Sequence, residues 1–129
     1  MSAYGLIKYK KKQSQKSSES ITLIIPVRNE QNNIEFFFEA IHKIDYPNLE
    51  IVFVDDFSQD NTYNIICDKI KILPFTASII KNTSPGKKQA LMSAINQCQT
   101  NFVMITDMDC IVKSANIYLV ADTLNKGSD

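Results

Sequence analysis

From Ile21 onward the chain alternates short apolar runs with stretches in which apolar residues recur every three or four positions. Ile21-Thr-Leu-Ile-Ile25 is continuous and rich in β-branched residues, and Pro26 follows it, which predicts a buried strand ended by the proline. Ile34, Phe37, Phe38 and Ile41 repeat with helical period, and the spacing of Asn32 and Glu35 before them predicts a capping box. Asp45-Tyr-Pro-Asn48 reads as a turn and Glu50-Ile-Val-Phe-Val54 as a second strand. Asp60 is expected to cap a second helix whose apolar face is Tyr63, Ile66, Cys67 and Ile70. Thr76-Ala-Ser-Ile-Ile80 predicts a third strand, Asn82-Thr-Ser-Pro-Gly86 a loop of turn formers, and Leu91, Ala94, Ile95 and Cys98 a third helix. Asn101-Phe-Val-Met-Ile-Thr106 predicts a fourth strand, and Ile117, Val120, Ala121 and Leu124 a last helix.

Regular alternation of strand and helix predicts an α/β domain, a mostly parallel sheet with helices on both faces and right-handed crossovers. Ligands of such sheets bind beyond the carboxyl ends of the strands, near a topological switch point. Local pattern leaves the strand order open, but it directs attention to the residues just after each strand.

Composition narrows the picture. The 129 residues suffice for one compact domain, and 44% hydrophobic with 22% charged residues is ordinary for a globular chain. A formal net charge of zero gives no global field that would point to nucleic acid. The charge is nevertheless uneven, because Lys8, Lys10, Lys11, Lys12 and Lys16 crowd a Ser/Gln-rich leader. Residues 1–20 are therefore expected to be a basic disordered tail, solvated or drawn to an anionic membrane surface, and residues 21–129 to be the folded domain. Three cysteines without a Cys-x-x-Cys pair argue against a disulfide framework and a structural zinc site, and fit a reducing cytoplasm. No apolar run approaches the roughly 20 residues that span a bilayer, and Met1–Ile7 carries too little apolar length for a signal peptide.

Four polar clusters stand beside these elements: Pro26, Arg28, Asn29 and Glu30; Asp55, Asp56, Ser58 and Asp60; Gly86, Lys87 and Lys88; and Asp107, Met108, Asp109 and Cys110. If the chain is still extended at Asp107 and Asp109, both carboxylates point to one side. They would then repel unless a cation lay between them, and Mg2+ or Mn2+ binds through one or two carboxylates together with substrate phosphates. The competing reading is a helix cap or a pair of solvated turn aspartates. Of Asp55 and Asp56, one can accept hydrogen bonds from a ribose or base while the other holds the loop, or both can be structural. Lys87 and Lys88 open a helix whose N–H groups favour anions, which suggests an anionic partner against the alternative of two solvated lysines. His42, the only histidine, reads as a surface residue.

Taken in order, these residues resemble the family-two glycosyltransferases of the GT-A fold. Ile21-Thr-Leu-Ile-Ile-Pro-Val-Arg-Asn-Glu30 is similar to their opening strand and loop, and Val54-Asp-Asp-Phe-Ser-Gln-Asp60 to their second strand end. Gly86-Lys-Lys-Gln-Ala-Leu91 resembles the segment opening their next helix, and Thr106-Asp-Met-Asp-Cys110 their Asp-x-Asp region. The likeness covers about residues 21–112. It implies a Rossmann-like nucleotide-diphospho-sugar transferase fold in which Pro26, Arg28 and Glu30 line the nucleotide pocket. Asp56 would lie near the uracil and ribose, with Asp55 shaping the turn, and Lys87 beside the diphosphate. Asp107 would approach the ribose and metal shell and Asp109 would ligate Mn2+ or Mg2+.

The resemblance thus implies a donor-binding portion that passes a sugar from a nucleotide-diphospho-sugar, most simply a UDP-sugar, to a sugar or lipid-linked acceptor. Inversion also needs a general base, which in the family lies beyond the Asp-x-Asp. No residue before Asp129 is assigned that role, so the expected alternative is an inactive nucleotide-sugar-binding fragment. The implied setting is cell-envelope polysaccharide synthesis, in the cytoplasm or at the inner face of the membrane. A phosphoacceptor receiver domain shares the alternation, but its acidic pair follows the first strand, where this chain has Pro26-Val-Arg-Asn29. A nucleotidyltransferase would carry a Gly-rich first loop, which Val27-Arg28-Asn29 lacks.

Overall fold

The computed structural model describes residues 5–7, 20–44, 46–83 and 88–109, the first of these segments by its backbone. Five strands form one sheet in the order β1-β5-β2-β3-β4. They are β1 (Gly5–Ile7), β2 (Ile21–Val27), β3 (Leu49–Asp55), β4 (Thr76–Lys81) and β5 (Phe102–Ile105). β5, β2, β3 and β4 run parallel, and β1 pairs antiparallel with β5. The helices are α1 (Ile34–His42), α2 (Thr62–Lys69) and α3 (Gln89–Gln97). The α/β alternation and the parallel sheet expected from periodicity are therefore present. The region expected to form the last helix, around Ile117–Leu124, lies outside the described residues.

The core is double, as a sheet covered on both faces requires. One layer joins Leu23, Ile25, Ile51 and Phe53 to Ile34, Phe37, Phe38 and Ile41 of α1 and Ile66 of α2. The other joins Ile24, Val52, Val54 and Val103 to Ala94 of α3 and to Cys98. Successive strand residues thus feed opposite layers, and the four apolar positions read for α1 are all buried. Among the described residues no helix is long and apolar enough to cross a membrane.

Three local expectations are corrected. Pro26 does not end its strand but pairs in register with Val54 inside β2. In a parallel ladder a residue directs its N–H and C=O to one side. Ile24 O accepts from Thr106 N and Val27 O from Asp56 N, so Pro26 faces the β5 side. The β5 ladder has already ended, with Ile24 opposite Ile105, and the donor that proline lacks falls where it has no partner strand.

The capping box does not form. Gln31–Asn33 make a 3-10 turn, α1 begins at Ile34 without a side-chain cap, and Glu35 reaches Lys69 of α2 at 3.0 Å. Finally, Gly5–Ile7, in the segment expected to be disordered, forms an edge strand on β5. Three residues are too few to show a period, so only the neighbouring strand reveals it.

Candidate functional site

The chain runs from β2 through β3 to β4 toward one edge, then crosses back through α3 to place β5 on the other side of β2. The topological switch point therefore lies between β2 and β5, where the loops leaving two adjacent strands diverge and open a crevice. Glu30 follows β2 and Asp109 follows β5, and both line one cleft of about 100 Å³ with Asn33, Phe36 and Met108.

The loops leaving β2 and β3 are sewn together. Asn29 N–H donates to Ser58 Oγ at 2.9 Å, and Asn29 Oδ1 accepts from Gln59 N–H at 2.8 Å. Glu30 N–H donates to Thr62 Oγ1 at 2.8 Å, and Gln31 Oε1 accepts from Asn61 N–H at 2.9 Å. Asn29 and Phe57 take positive φ, 50° and 63°. Asn tolerates that region, but for a bulky residue such as Phe57 it is strained, by about 1–3 kcal/mol. The stitches hold this strained loop in place.

Asp60 sits one residue before the cap position of α2, yet it still serves the helix start. Its Oδ1 accepts from the Thr62 amide at 3.0 Å and the Thr62 hydroxyl at 2.6 Å, and its Oδ2 accepts from Gln31 N–H at 3.3 Å. Desolvation alone would raise its carboxyl, but the Thr62 and Gln31 hydrogen bonds outweigh it and hold the pKa below 3.8. A carboxylate depressed on folding contributes stability above its unfolded pKa and loses that contribution as pH falls through the folded one. Thermal unfolding followed from pH 6 downward should therefore show wild type losing its margin over Asp60→Asn below about pH 4. A margin unchanged across that window would remove the charge of Asp60 from the stitch.

The acidic pair at the end of β3 divides its labour. Asp55 is 1% exposed, and its Oδ2 accepts from Ser58 N–H at 3.2 Å, so it shapes the loop from beneath. Its Oδ1 meets no hydrogen-bond donor among the described residues. Asp56 is half-buried at the surface of the sheet edge, with Arg28 Nη1 3.9 Å from its Oδ2. Its Oδ1 accepts from Asn82 Nδ2 at 3.0 Å, and Asn82 Oδ1 accepts from Ala90 N–H, in the first turn of α3, also at 3.0 Å. Sequence reasoning placed Asn82 among loop formers and missed this bridge. The available signal was an asparagine immediately after a strand, at the height where the neighbouring strand carries Asp55 and Asp56.

At β5 the extended geometry assumed for the Asp-x-Asp does not hold. The strand ends at Ile105, and Met108 and Asp109 have entered a helical turn. Asp107 and Asp109 are both exposed because Met108 between them is anchored in the core at 2% exposure. Carboxylate oxygens are hard donors, of the kind a divalent cation takes alongside phosphate or water, and of the two only Asp109 lines the cleft with Glu30. Among the described residues no group of three or more His, Cys, Asp or Glu is gathered to hold a metal.

Pro26 is half-buried below these loops. Lys87 lies outside the described residues, and its neighbour Lys88 is exposed just ahead of α3. His42 is exposed and bonded to Phe38 O within its own helix, away from this edge.

Comparison with known proteins agrees with this fold. A family model described as glycosyl transferase family 2 matches residues 22–129. The poly-beta-1,6-N-acetyl-D-glucosamine synthase of Staphylococcus epidermidis is 30% identical over 105 residues, 81% of this chain and 25% of that protein. The mannosyltransferase PcManGT from Pyrobaculum calidifontis, solved in complex with GDP-Man and Mn2+, superposes with a TM-score of 0.65 at 32% identity, covering 72% of this chain and 28% of that one. TarS 1-349 of S. aureus in complex with UDP gives a TM-score of 0.61 at 26% identity, covering 70% of this chain and 27% of that one. The chain thus spans about a quarter of the length of the relatives it matches. The match over residues 22–129 places the chain in glycosyl transferase family 2, and its parallel sheet and its superposition on PcManGT give it the GT-A fold.

Proposed function

We propose that this chain is the donor-binding portion of a metal-assisted glycosyltransferase that takes a nucleotide-diphospho-sugar, a UDP-sugar by preference, and delivers the sugar to an acceptor hydroxyl. The observation that carries the reading is the cleft shared by Glu30 and Asp109 at the switch point, where parallel sheets bind ligands. Asp56, with Arg28 beside it, accepts hydrogen bonds from the base or ribose. Pro26 and Glu30 line the pocket, Asp55 keeps the loop in shape, and Lys87 neutralises the diphosphate. Asp107 and Asp109 would hold Mn2+ or Mg2+, and the ion would supply Lewis-acid chemistry to the diphosphate. Support comes from PcManGT, solved with GDP-Man and Mn2+, and from TarS, solved with UDP.

The similarity to a poly-beta-1,6-N-acetyl-D-glucosamine synthase supports a role in cell-envelope polysaccharide synthesis, for which a sugar or lipid-linked acceptor is proposed. The site of that work would be the cytoplasmic face of the membrane, with the lysines of residues 8–16 drawn to anionic lipid.

The test is calorimetric titration of the purified chain with UDP, with and without Mn2+. Saturable binding that requires the metal is expected. A folded chain that takes up no UDP in either condition would defeat the reading.

A further inference from the structure

We infer that Asn82 is a positioning residue for nucleoside selection: it fixes the direction of the Asp56 carboxylate and ties that direction to the start of α3. The inference rests on the donor reading above and deepens it. Asn82 follows β4 directly, and its backbone N–H donates to Asp55 O at 2.9 Å, extending the ladder one residue past the strand. Asn82 is 7% exposed and its side chain is used at both ends, Nδ2 donating to Asp56 Oδ1 and Oδ1 accepting from Ala90 N–H, each at 3.0 Å. A carboxamide carries a neutral donor and acceptor side by side on one small planar group, and glutamine would place it a methylene further out. Asp would keep the acceptor for Ala90 and set a second negative charge against Asp56, whereas Ala would remove both bonds.

The consequence for the ligand is directional. A carboxylate accepts well only near its lone-pair directions, and a hydrogen bond weakens steeply once bent. With Asn82 on one oxygen and Arg28 Nη1 3.9 Å from the other, the plane of Asp56 is set before any nucleotide arrives. Uracil presents an N3–H donor to such an acceptor. Cytosine presents a bare nitrogen at the same position and meets the carboxylate with repulsion. Preference for UDP over CDP is therefore a direct readout of how firmly Asp56 is aimed. The same Asn82 side chain caps the second residue of α3, just after Lys88, so the nucleoside end and the segment facing the diphosphate are positioned together.

The test is titration of the full chain with UDP and with CDP in Mn2+, for wild type, Asn82→Asp, Asn82→Ala and each paired with Asp56→Ala. Both single variants should lose about tenfold or more in UDP affinity, with a much smaller change for CDP, so that the preference shrinks toward unity. With Asp56→Ala in place, a change at Asn82 should leave the remaining preference unmoved. Reading two single variants keeps the answer open if one fails to fold. A purely structural Asn82 would weaken both nucleotides by the same factor, and an unchanged UDP-to-CDP ratio in the folded variants overturns the inference alone. A wild-type chain that binds neither nucleotide overturns the donor reading, and this inference with it.

Discussion

Asp109→Ala is expected to reduce UDP binding in Mn2+ to the level seen without the metal, while the fold survives. The reason is the way the Asp-x-Asp is mounted. Met108 is locked in the core and Asp109 is exposed on the turn that follows β5, in the cleft it shares with Glu30. A divalent cation held by one or two carboxylates and the substrate's phosphates has no reserve of protein ligands. On the proposed reading, removing one of its two carboxylates would leave the cation too weakly held to offset the diphosphate's charge. The cost to folding is small, because truncating an exposed side chain at the start of a helical turn changes stability by less than about 1 kcal/mol. The variant is read in paired titrations with and without Mn2+, alongside thermal unfolding. Metal-dependent affinity equal to wild type would take Asp109 out of the metal site. A collapsed melting transition would show instead that its role is structural.

Phe53→Ala should destabilise the chain by about 3–5 kcal/mol. Phe53 is fully buried in the middle of β3, with Phe38 stacked on it at 5.7 Å and Phe37 meeting it edge-on at 5.7 Å. Its removal opens a cavity between sheet and α1 that two large rings cannot fill without leaving their rotamers. A domain of this size has only about 5–15 kcal/mol in total, so the variant should melt at markedly lower denaturant concentration. The loss reaches the site as well, since Asp55 ends the same strand two residues further on and Asp56 follows it directly. A shift in unfolding free energy below about 1 kcal/mol would mean that the aromatic cluster is not what holds α1 to the sheet.

Much of this molecule is legible along the chain. Ile34, Phe37, Phe38 and Ile41 declare the buried face of α1, and the apolar runs declare β2, β3, β4 and β5 to within two residues. These features follow from the hydrogen-bond geometry of consecutive residues, so a window of ten residues contains their cause. The resemblance to family-two glycosyltransferases was likewise readable, because its motifs are short and each adjoins a strand.

Other features depend on residues far apart in sequence, and only the tertiary structure decided them. The return of β5 to the far side of β2 sets the switch point, and no local pattern encodes strand order. That order also explains how Pro26 sits inside a strand, since its missing donor faces the place where β5 has run out. The exposure of Asp107 and Asp109 comes from the burial of Met108, not from an extended backbone. The clearest case is Asn82, which reads in sequence as one more loop residue. Its amide meets Asp56, twenty-six positions earlier, and the start of α3 eight positions later. A side chain's periodicity reports the element it belongs to, but its hydrogen-bond partners are set by which strands the fold makes neighbours.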